Sequence, residues 1–317
     1  MVILVTGGTG YIGAHLVSEL VKRGEKVIAY DFAPYFEAVK DLNNVKIIKG
    51  DITDLSQLLH AIKKEQVNLI VHTAALLTDE SERAPLAALK INLEGTVNCL
   101  EVARLTDLPR VVYISSRAVY GYTPIGQPLD EDYPKQPVSI YGITKLASEY
   151  FGQNYANNYG IDFIALRLSL VYGLPRAPIV FRGVSGIIME MIQKSAIGMP
   201  VKISKGGDGA YDLIYIKDVI QAIVLACYTK GLKHRIFNIG SGELIKLKDI
   251  AEIIKKTIPN AKIEIGSGEL IPTARGPLDT TRAQTELGFK CKYTIEKGVL
   301  ESLRNAKFFE SSRSIKK

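Results

Sequence analysis

The 317-residue sequence has no tryptophan, only three cysteines and four histidines, and no long apolar run. Each scarcity excludes something. Cys99, Cys227 and Cys291 are far apart and odd in number, which fits buried thiols in a reducing compartment rather than a disulfide framework. No two histidines stand at metal-ligand spacing, so no metal is expected. No stretch approaches the ~18 apolar residues of a membrane span. The first strand pattern starts at Val2 and leaves no space for a signal peptide, so a cytoplasmic location is expected. Repeats and low-complexity linkers are also lacking. The net charge of +7 owes +4 to the stretch 304–317, where Arg304, Lys307, Arg313, Lys316 and Lys317 face Glu310 alone. That reads as a solvated, fraying end rather than a nucleic-acid footprint.

What the sequence does have begins at once. Residues 2–5, Val-Ile-Leu-Val, form an apolar run suited to a strand buried on both faces. Thr6-Gly7-Gly8-Thr9-Gly10-Tyr11-Ile12-Gly13 follows, then helical spacing over 14–21. Strand, glycine turn and helix together make a phosphate site. Gly7 permits the turn, Gly10 lets backbone approach a pyrophosphate, and Gly13 lets the helix sit against the strand. The helix N-terminus offers free N–H groups to the anion. Asp31 closes a second strand pattern, 26–30, where a carboxylate accepts ribose hydroxyls and repels a 2′-phosphate; this favours NAD over NADP.

Strand patterns at 45–49, 68–71, 110–114 and 162–168 alternate with helical ones at 53–64 (capped by Thr53 or Asp54), 85–105 and 140–158. This alternation predicts an α/β fold, a Rossmann-type doubly wound parallel sheet. Ligands collect beyond the carboxyl ends of such strands, where Asp31, Asp51, His72-Thr73-Ala74-Ala75 and Ser115-Ser116 fall. A proline- and glycine-rich loop covers 121–137. After Gly173 the segments shorten, with helices predicted at 183–194, 216–228, 248–256 and 280–287 and strands at 201–203, 236–239 and 262–265. Residues 1–173 thus read as an NAD-binding half. Residues 174–317 read mainly as a smaller substrate-binding lobe over the ligand edge, sharing one core with it.

Tyr141 and Lys145 are four residues apart and share a helix face. A phenol with pKa near ~10 is a poor base at neutral pH. A cation at ~4 Å in an effective dielectric of ~20 is worth ~4 kcal/mol, or about three pKa units, and so predicts a phenolate within reach of neutrality. Tyr141 could then exchange a proton with a substrate hydroxyl as hydride moves to the cofactor. Ser116 stands where a hydroxyl could orient the reacting oxygen. His72 reads as a packed core imidazole.

With these residues the chain resembles the extended short-chain dehydrogenase/reductases, in the branch of NAD-dependent sugar epimerases and dehydratases. The resemblance runs from Val2 to about Glu301. It rests on the 6–13 turn, Asp51-Ile52, His72-Thr73-Ala74-Ala75, Asn92, Ser115-Ser116-Arg117-Ala118-Val119-Tyr120-Gly121, Tyr141-Gly142-Ile143-Thr144-Lys145, Arg167 with Val171-Tyr172-Gly173, and Phe237-Asn238-Ile239-Gly240. It implies Ser116, Tyr141 and Lys145 as the catalytic set. It places Gly7, Gly10, Tyr11, Ile12, Gly13, Thr73, Ala74, Ala75, Asn92, Ser115 and Leu168 along the cofactor. Asp51 and Ile52 would hold the adenine, Asp31 its ribose, and Tyr141 and Lys145 the nicotinamide end. Leu77, Ser116, Arg117, Tyr141, Leu170, Arg182, Tyr211 and Arg275 would face the substrate. A homodimer through the 85–105 and 140–158 helices is implied too.

Departures narrow the chemistry. Dehydratases of this branch carry Asp-Glu where Arg117-Ala118 stands, so the acid and base for eliminating water are missing. Nucleotide-sugar epimerases usually have asparagine at Leu170 and often arginine at Tyr211. The leading expectation is a nucleotide-sugar epimerase like the UDP-glucose 4-epimerases. The alternative is a dehydrogenase of a small hydroxy compound, since 72–101 is also similar to threonine dehydrogenases of this family. A non-catalytic NAD-binding regulator is a third reading, opposed by the intact Ser116, Tyr141 and Lys145.

Overall fold

Why the first strand is apolar throughout is plain from its neighbours. The computed structural model describes residues 1–176, 183–270 and 276–314. Its strands are β1 (Val2–Thr6), β2 (Lys26–Asp31), β3 (Val45–Lys49), β4 (Leu69–His72), β5 (Arg110–Ser116), β6 (Asp162–Leu168), β7 (Leu170–Tyr172), β8 (Val201–Ile203), β9 (Ala210–Tyr215), β10 (Ile236–Ile239), β11 (Leu244–Lys246) and β12 (Ile263–Ile265). Its α-helices are α1 (Tyr11–Lys22), α2 (Leu55–Glu65), α3 (Thr78–Arg83), α4 (Pro85–Ala88), α5 (Gly95–Leu105), α6 (Ile140–Tyr159), α7 (Gly183–Ala196), α8 (Ile216–Tyr228), α9 (Leu247–Thr257) and α10 (Ile295–Ser314).

Seven strands form one parallel sheet in the order β10-β6-β5-β4-β1-β2-β3. Both faces are covered. Leu4, Ile28, Ile70, Val111 and Phe163 pack with α2 and α5, while Ile3, Val5, Val27, Val71 and Ile164 pack with α1 and α8. Alternate residues thus enter different cores, and no position in β1 can be polar until Thr6. The order reverses between β1 and β4, so their carboxyl ends form the crevice of the switch point.

The α1-side core continues without a break into Ile192, Val201, Ile250 and Leu303 of the C-terminal half. Strand 236–239, expected in the smaller lobe, is β10 and pairs with β6 at the edge of the large sheet. Sequence spacing could not show this, since β10 lies about seventy residues after β6. The predicted 85–105 helix is broken: between α4 and α5 the chain makes a wider, π-type turn at Leu89–Glu94. The 280–287 helix ends in a second such turn at Ala283–Leu287. The short strands β7, β9 and β11 were not expected. Nor was α10, which runs to Ser314 and buries Leu303 and Ala306.

Candidate active site

The glycine turn is packed to its limit. Gly7 has φ of +62°, and a Cβ on it would lie 3.0 Å from the Ala74 backbone. A Cβ on Gly13 would stand 2.0 Å from the Gly7 carbonyl oxygen, so α1 can start against the turn only as glycine. Gly8, which the motif reading passed over, is equally constrained by Ala29, 2.7 Å from its would-be Cβ. A cradle this tight leaves the N-terminus of α1 open to an anion at the switch point, which fits the pyrophosphate of a dinucleotide. Tyr11 and Ile12 form the first turn; the Tyr11 hydroxyl donates to the Gly173 carbonyl at 2.8 Å, tying this turn to the chain leaving β7.

Asp31 ends β2 beside the turn. Its Oδ2 accepts from the Thr9 amide (3.0 Å) and hydroxyl (2.7 Å), and its Oδ1 from the Ala33 amide at 3.3 Å. The carboxylate is therefore held in place by the loop it would serve. Asp51 uses Oδ1 on the Thr53 amide and hydroxyl. Gln57, unnoticed in the sequence, fixes this corner by accepting from the Asp51 amide and the Tyr30 hydroxyl. Ile52 is buried, its carbonyl accepting from Asn98. Thr73 donates to the Thr6 carbonyl at 2.7 Å, and the Ala74 backbone follows against the turn. These residues fit NAD. Among the described residues no group of three or more His, Cys, Asp or Glu is placed to hold a metal.

His72 is a core imidazole inside a relay. The Thr73 and Ala74 amides donate to Thr6 Oγ1, which lies 2.6 Å from His72 Nδ1. His72 Nε2 lies 3.1 Å from Thr96 Oγ1, and the Thr96 hydroxyl donates to the Asn92 carbonyl. Only a neutral ring with its proton on Nε2 satisfies every member. Burial, with the charge of Lys145 adding to it, pulls the imidazole down to about 3.

The relay ends on the wide turn. Asn92, fully buried there, accepts from the Leu76 amide (2.8 Å) and donates to the Leu76 carbonyl (3.0 Å) and to Thr144 Oγ1 (3.2 Å) on α6. The carbonyl freed by the irregular turn also accepts from Ser148. Asn92 was expected to line the cofactor, but its side-chain amide is fully engaged in joining the 76–77 loop to α6. It acts on the site by shaping it.

Ser139 caps α6, accepting from the Gly142 amide at 3.0 Å, and so fixes where Tyr141 begins. Lys145 is buried and its Nζ donates to the Ile114 carbonyl at 2.7 Å; it lies 4.7 Å from the Tyr113 ring centre and 5.5 Å from that of Tyr141. Ser116, at the end of β5, hydrogen-bonds Tyr141 and also accepts from the Ala118 amide. The three predicted catalytic residues are therefore together. The predicted electrostatics are not. Burial pushes the Tyr141 phenol up to about 12, with Ser116 pulling weakly against it, and burial draws the Lys145 ammonium down to about 7 against the pull of Glu149. Coulomb attraction alone was weighed from the sequence; loss of solvent outweighs it in the folded chain.

Ser115 also differs from expectation. Its hydroxyl donates to Glu149 on α6. Glu149 in turn receives Arg167 at 2.9 Å (Nε) and 2.7 Å (Nη2), with both side chains almost wholly buried. Arg167 Nη1 donates to the Tyr120 hydroxyl (2.8 Å), and Tyr120 donates to Asn238 Oδ1 (2.7 Å). The scattered motif residues Tyr120, Arg167 and Asn238 thus form one polar network beneath the site.

The substrate side is less uniform. Leu77 is 62% exposed at the start of α3. Leu168 is buried at the end of β6, and Leu170 is half-buried on β7. Arg117 was expected to face substrate, yet it is buried and donates to the Gly276 carbonyl at 2.7 Å. Burial pulls its guanidinium below the ordinary arginine range, with Asp212 opposing. Tyr211, expected to face the substrate, is 5% exposed within the core. Arg182 and Arg275 lie outside the described residues.

Residues 3–240 match the model of the NAD dependent epimerase/dehydratase family. A UDP-glucose 4-epimerase of Mycolicibacterium smegmatis is 31% identical, covering 95% of this chain and 96% of its own length. A crystal structure of UDP-glucose 4-epimerase with UDP-glucose from Thermotoga maritima superposes with a TM-score of 0.85 at 27% identity, over 98% of this chain and 99% of that one. An L-threonine dehydrogenase from Clostridium difficile is similarly close, with a TM-score of 0.87 at 27% identity over 97% and 98%.

Proposed function

The chain belongs to the NAD dependent epimerase/dehydratase family, and from that premise we propose that it is a nucleotide-sugar epimerase of the UDP-glucose 4-epimerase kind. The observation that carries this reading is the grouping of Ser116, Tyr141 and Lys145 at the end of β5, beside the crevice of the glycine turn. Gly7, Gly10, Tyr11, Ile12 and Gly13 would hold the pyrophosphate, Asp31 and Asp51-Ile52 the adenosine, and Lys145 the nicotinamide end. When bound, NAD supplies the hydride acceptor and donor.

The chain's own residues handle the proton. Tyr141 accepts it from the sugar hydroxyl, and the Ser116 hydroxyl donates a hydrogen bond to the same oxygen. Tyr141 does so as the phenolate: with its pKa at about 12 it is almost wholly protonated at neutral pH, so the step draws on the minor form that has already released its proton, which the Lys145 ammonium stabilises. Inversion at carbon then requires the transient keto sugar to turn in the pocket before it is reduced from its other face. Leu77, Leu168 and Leu170 would give that pocket apolar walls. Arg117, bound to the 276 backbone, would shape the pocket beside Ser116. We assign residues 1–173 mainly to cofactor binding and 174–317 mainly to substrate.

Exposed apolar side chains on α4 to α6, among them Leu86, Leu89, Ile143, Tyr150 and Phe151, support a homodimer through these helices. No helix among the described residues is long and apolar enough to cross a membrane. Three free thiols, two of them buried, support a reducing, cytoplasmic setting.

A second reading has its own observation. Leu170 offers no hydrogen bond to a diphosphate, which favours oxidation of a small hydroxy compound with release of NADH. Incubating the protein with UDP-galactose, and separately with threonine or sugar acids plus NAD, decides between them. UDP-glucose formed without accumulating NADH is the expected result. NADH accumulating with a small hydroxy compound instead establishes the second reading.

A further inference from the structure

Glu149 has no part in the chemistry described so far, yet it is the most deeply buried charge near it. It sits on α6 one turn beyond Lys145, wholly inaccessible, and meets Arg167 through two parallel hydrogen bonds of 2.9 and 2.7 Å. Its Oε1 also accepts from Ser115, the neighbour of Ser116. One carboxylate on α6 thus ties that helix to β5 and β6, and α6 and β5 bear the reacting side chains.

A buried ion pair is a poor way to gain stability, because removing two charges from water costs several kcal/mol per ion by order of magnitude. A pair held here needs another reason, and the surroundings of Lys145 supply it. From α6 it faces the Tyr141 ring and Glu149; from β5 the Tyr113 ring; from β4 the imidazole of His72; and Arg167 of β6 stands behind Glu149. Glu149 is the negative charge in that set. Its lone-pair sites are directed by Ser115 and Arg167, so it cannot swing toward Lys145 and form a contact that would draw the ammonium from its place on the Ile114 carbonyl.

We propose that Glu149 is a positioning residue for the proton transfer: a carboxylate clamped by Arg167 and Ser115 so that it keeps Lys145 in its ammonium form without touching it. The inference deepens the catalytic reading above and rests on it for its consequence in turnover, though not for its effect on Lys145. Burial leaves Lys145 at about 7, at the margin of use, with Glu149 as the opposing influence. Without the carboxylate the amine would be neutral at working pH and could not assist Tyr141.

The test reads Lys145 without substrate. Wild type and Glu149→Gln are each compared with their own Lys145→Met counterpart, and the difference in thermal stability within each pair is followed over about pH 5 to 10. In wild type that difference begins to change near 7. In the Glu149→Gln pair the onset moves acid by about one to two pH units. A purely structural Glu149 lowers both members of a pair alike and leaves the onset where it was, which overturns the proposal. Should Glu149→Gln fail to fold, Glu149→Gln/Arg167→Met removes both buried charges; an acid shift is still required of it, smaller because a more distant cation is lost as well. With UDP-galactose, the alkaline fall in kcat moves acid in the same variants while KM stays within about two-fold, and Glu149→Asp restores it. An absence of turnover in wild type defeats the catalytic reading alone; the stability arm still judges Glu149.

Discussion

Lys145 and Tyr141 face each other across one helical turn with the ammonium nitrogen 5.5 Å from the phenol ring centre, while that nitrogen is bound to the Ile114 carbonyl. The lysine is thus held by β5 and acts on the tyrosine through space. Burial of both groups opposes the charges that this attraction would stabilise. Tyr141 is therefore a phenol in the cofactor-free protein, and near-ultraviolet difference spectra should show no Tyr141-dependent phenolate absorbance up to about pH 10. Wild type and Tyr141→Phe compared across that range would differ if the phenolate formed early.

Turnover should depend on that hydroxyl all the same. Tyr141→Phe is expected to lower kcat by about 10²- to 10⁴-fold, the usual worth of a placed acid–base group, with NAD affinity within a few-fold of wild type. Progress curves with UDP-galactose and fluorescence titration with NADH measure the two quantities separately. Full activity in the variant would remove Tyr141 from the mechanism.

His72 gives the fold an acid limit. Its pKa falls from 6.5 unfolded to about 3 folded, so the unfolded chain binds the proton first as pH drops. The stability it contributes is whole above about pH 6.5 and is lost progressively down to about 3. Protonation also sets a donor on Nδ1 against the Thr6 hydroxyl and breaks the relay. His72→Asn should start less stable at neutral pH but lose less between those limits, a crossing of trends that chemical denaturation at several pH values can record.

Asn92 should matter as much to stability as to activity. Asn92→Leu removes three buried hydrogen bonds and leaves the Leu76 amide unmatched, while the Leu76 carbonyl keeps only the Ser81 hydroxyl; a loss of about 2–4 kcal/mol is expected. Because those bonds join the 76–77 loop to α6, kcat should fall even at temperatures where the variant is folded. A conservative Asn92→Asp, which keeps the acceptor for the Leu76 amide, should fall in between.

The glycine turn admits a direct check. Gly13→Ala puts a methyl 2.0 Å from the Gly7 oxygen, so α1 or the turn must shift. Overpacking of this order costs typically ~1–3 kcal/mol, and the displaced N–H groups should weaken NAD binding at least ~10-fold. Gly24→Ala, at a position with open space around it but positive φ, should cost stability without touching NAD affinity.

Local signals were readable wherever one residue's environment is set by its neighbours in sequence. The alternation of strand and helix patterns through β6 announced a parallel sheet, the 6–13 turn announced its ligand edge, and Tyr141 with Lys145 announced a shared helix face. What stayed hidden depends on contacts between distant segments. Nothing near Ser115 reveals that its hydroxyl meets Glu149 on another element. Nothing near Arg117 reveals a carbonyl at 276 as its partner. The pKa of Tyr141 was misjudged for the same reason: attraction to Lys145 can be computed from spacing, but the loss of water around both groups is a property of the assembled fold. Gln57 could have been found, since a glutamine three residues after an Asp N-cap is a capping position, though here it reaches the Asp51 corner instead.

The strand contributed by residues Ile236–Ile239 carries a practical lesson for dissection of the molecule. A fragment ending at Gly173 would retain every glycine of the turn and all three reacting side chains, yet would bare the outer edge of β6 and the flank of α1 that α8 now shields. Such a piece should associate or precipitate rather than bind dinucleotide as a tidy module. A scissor placed at the proposed boundary cuts through shared walls.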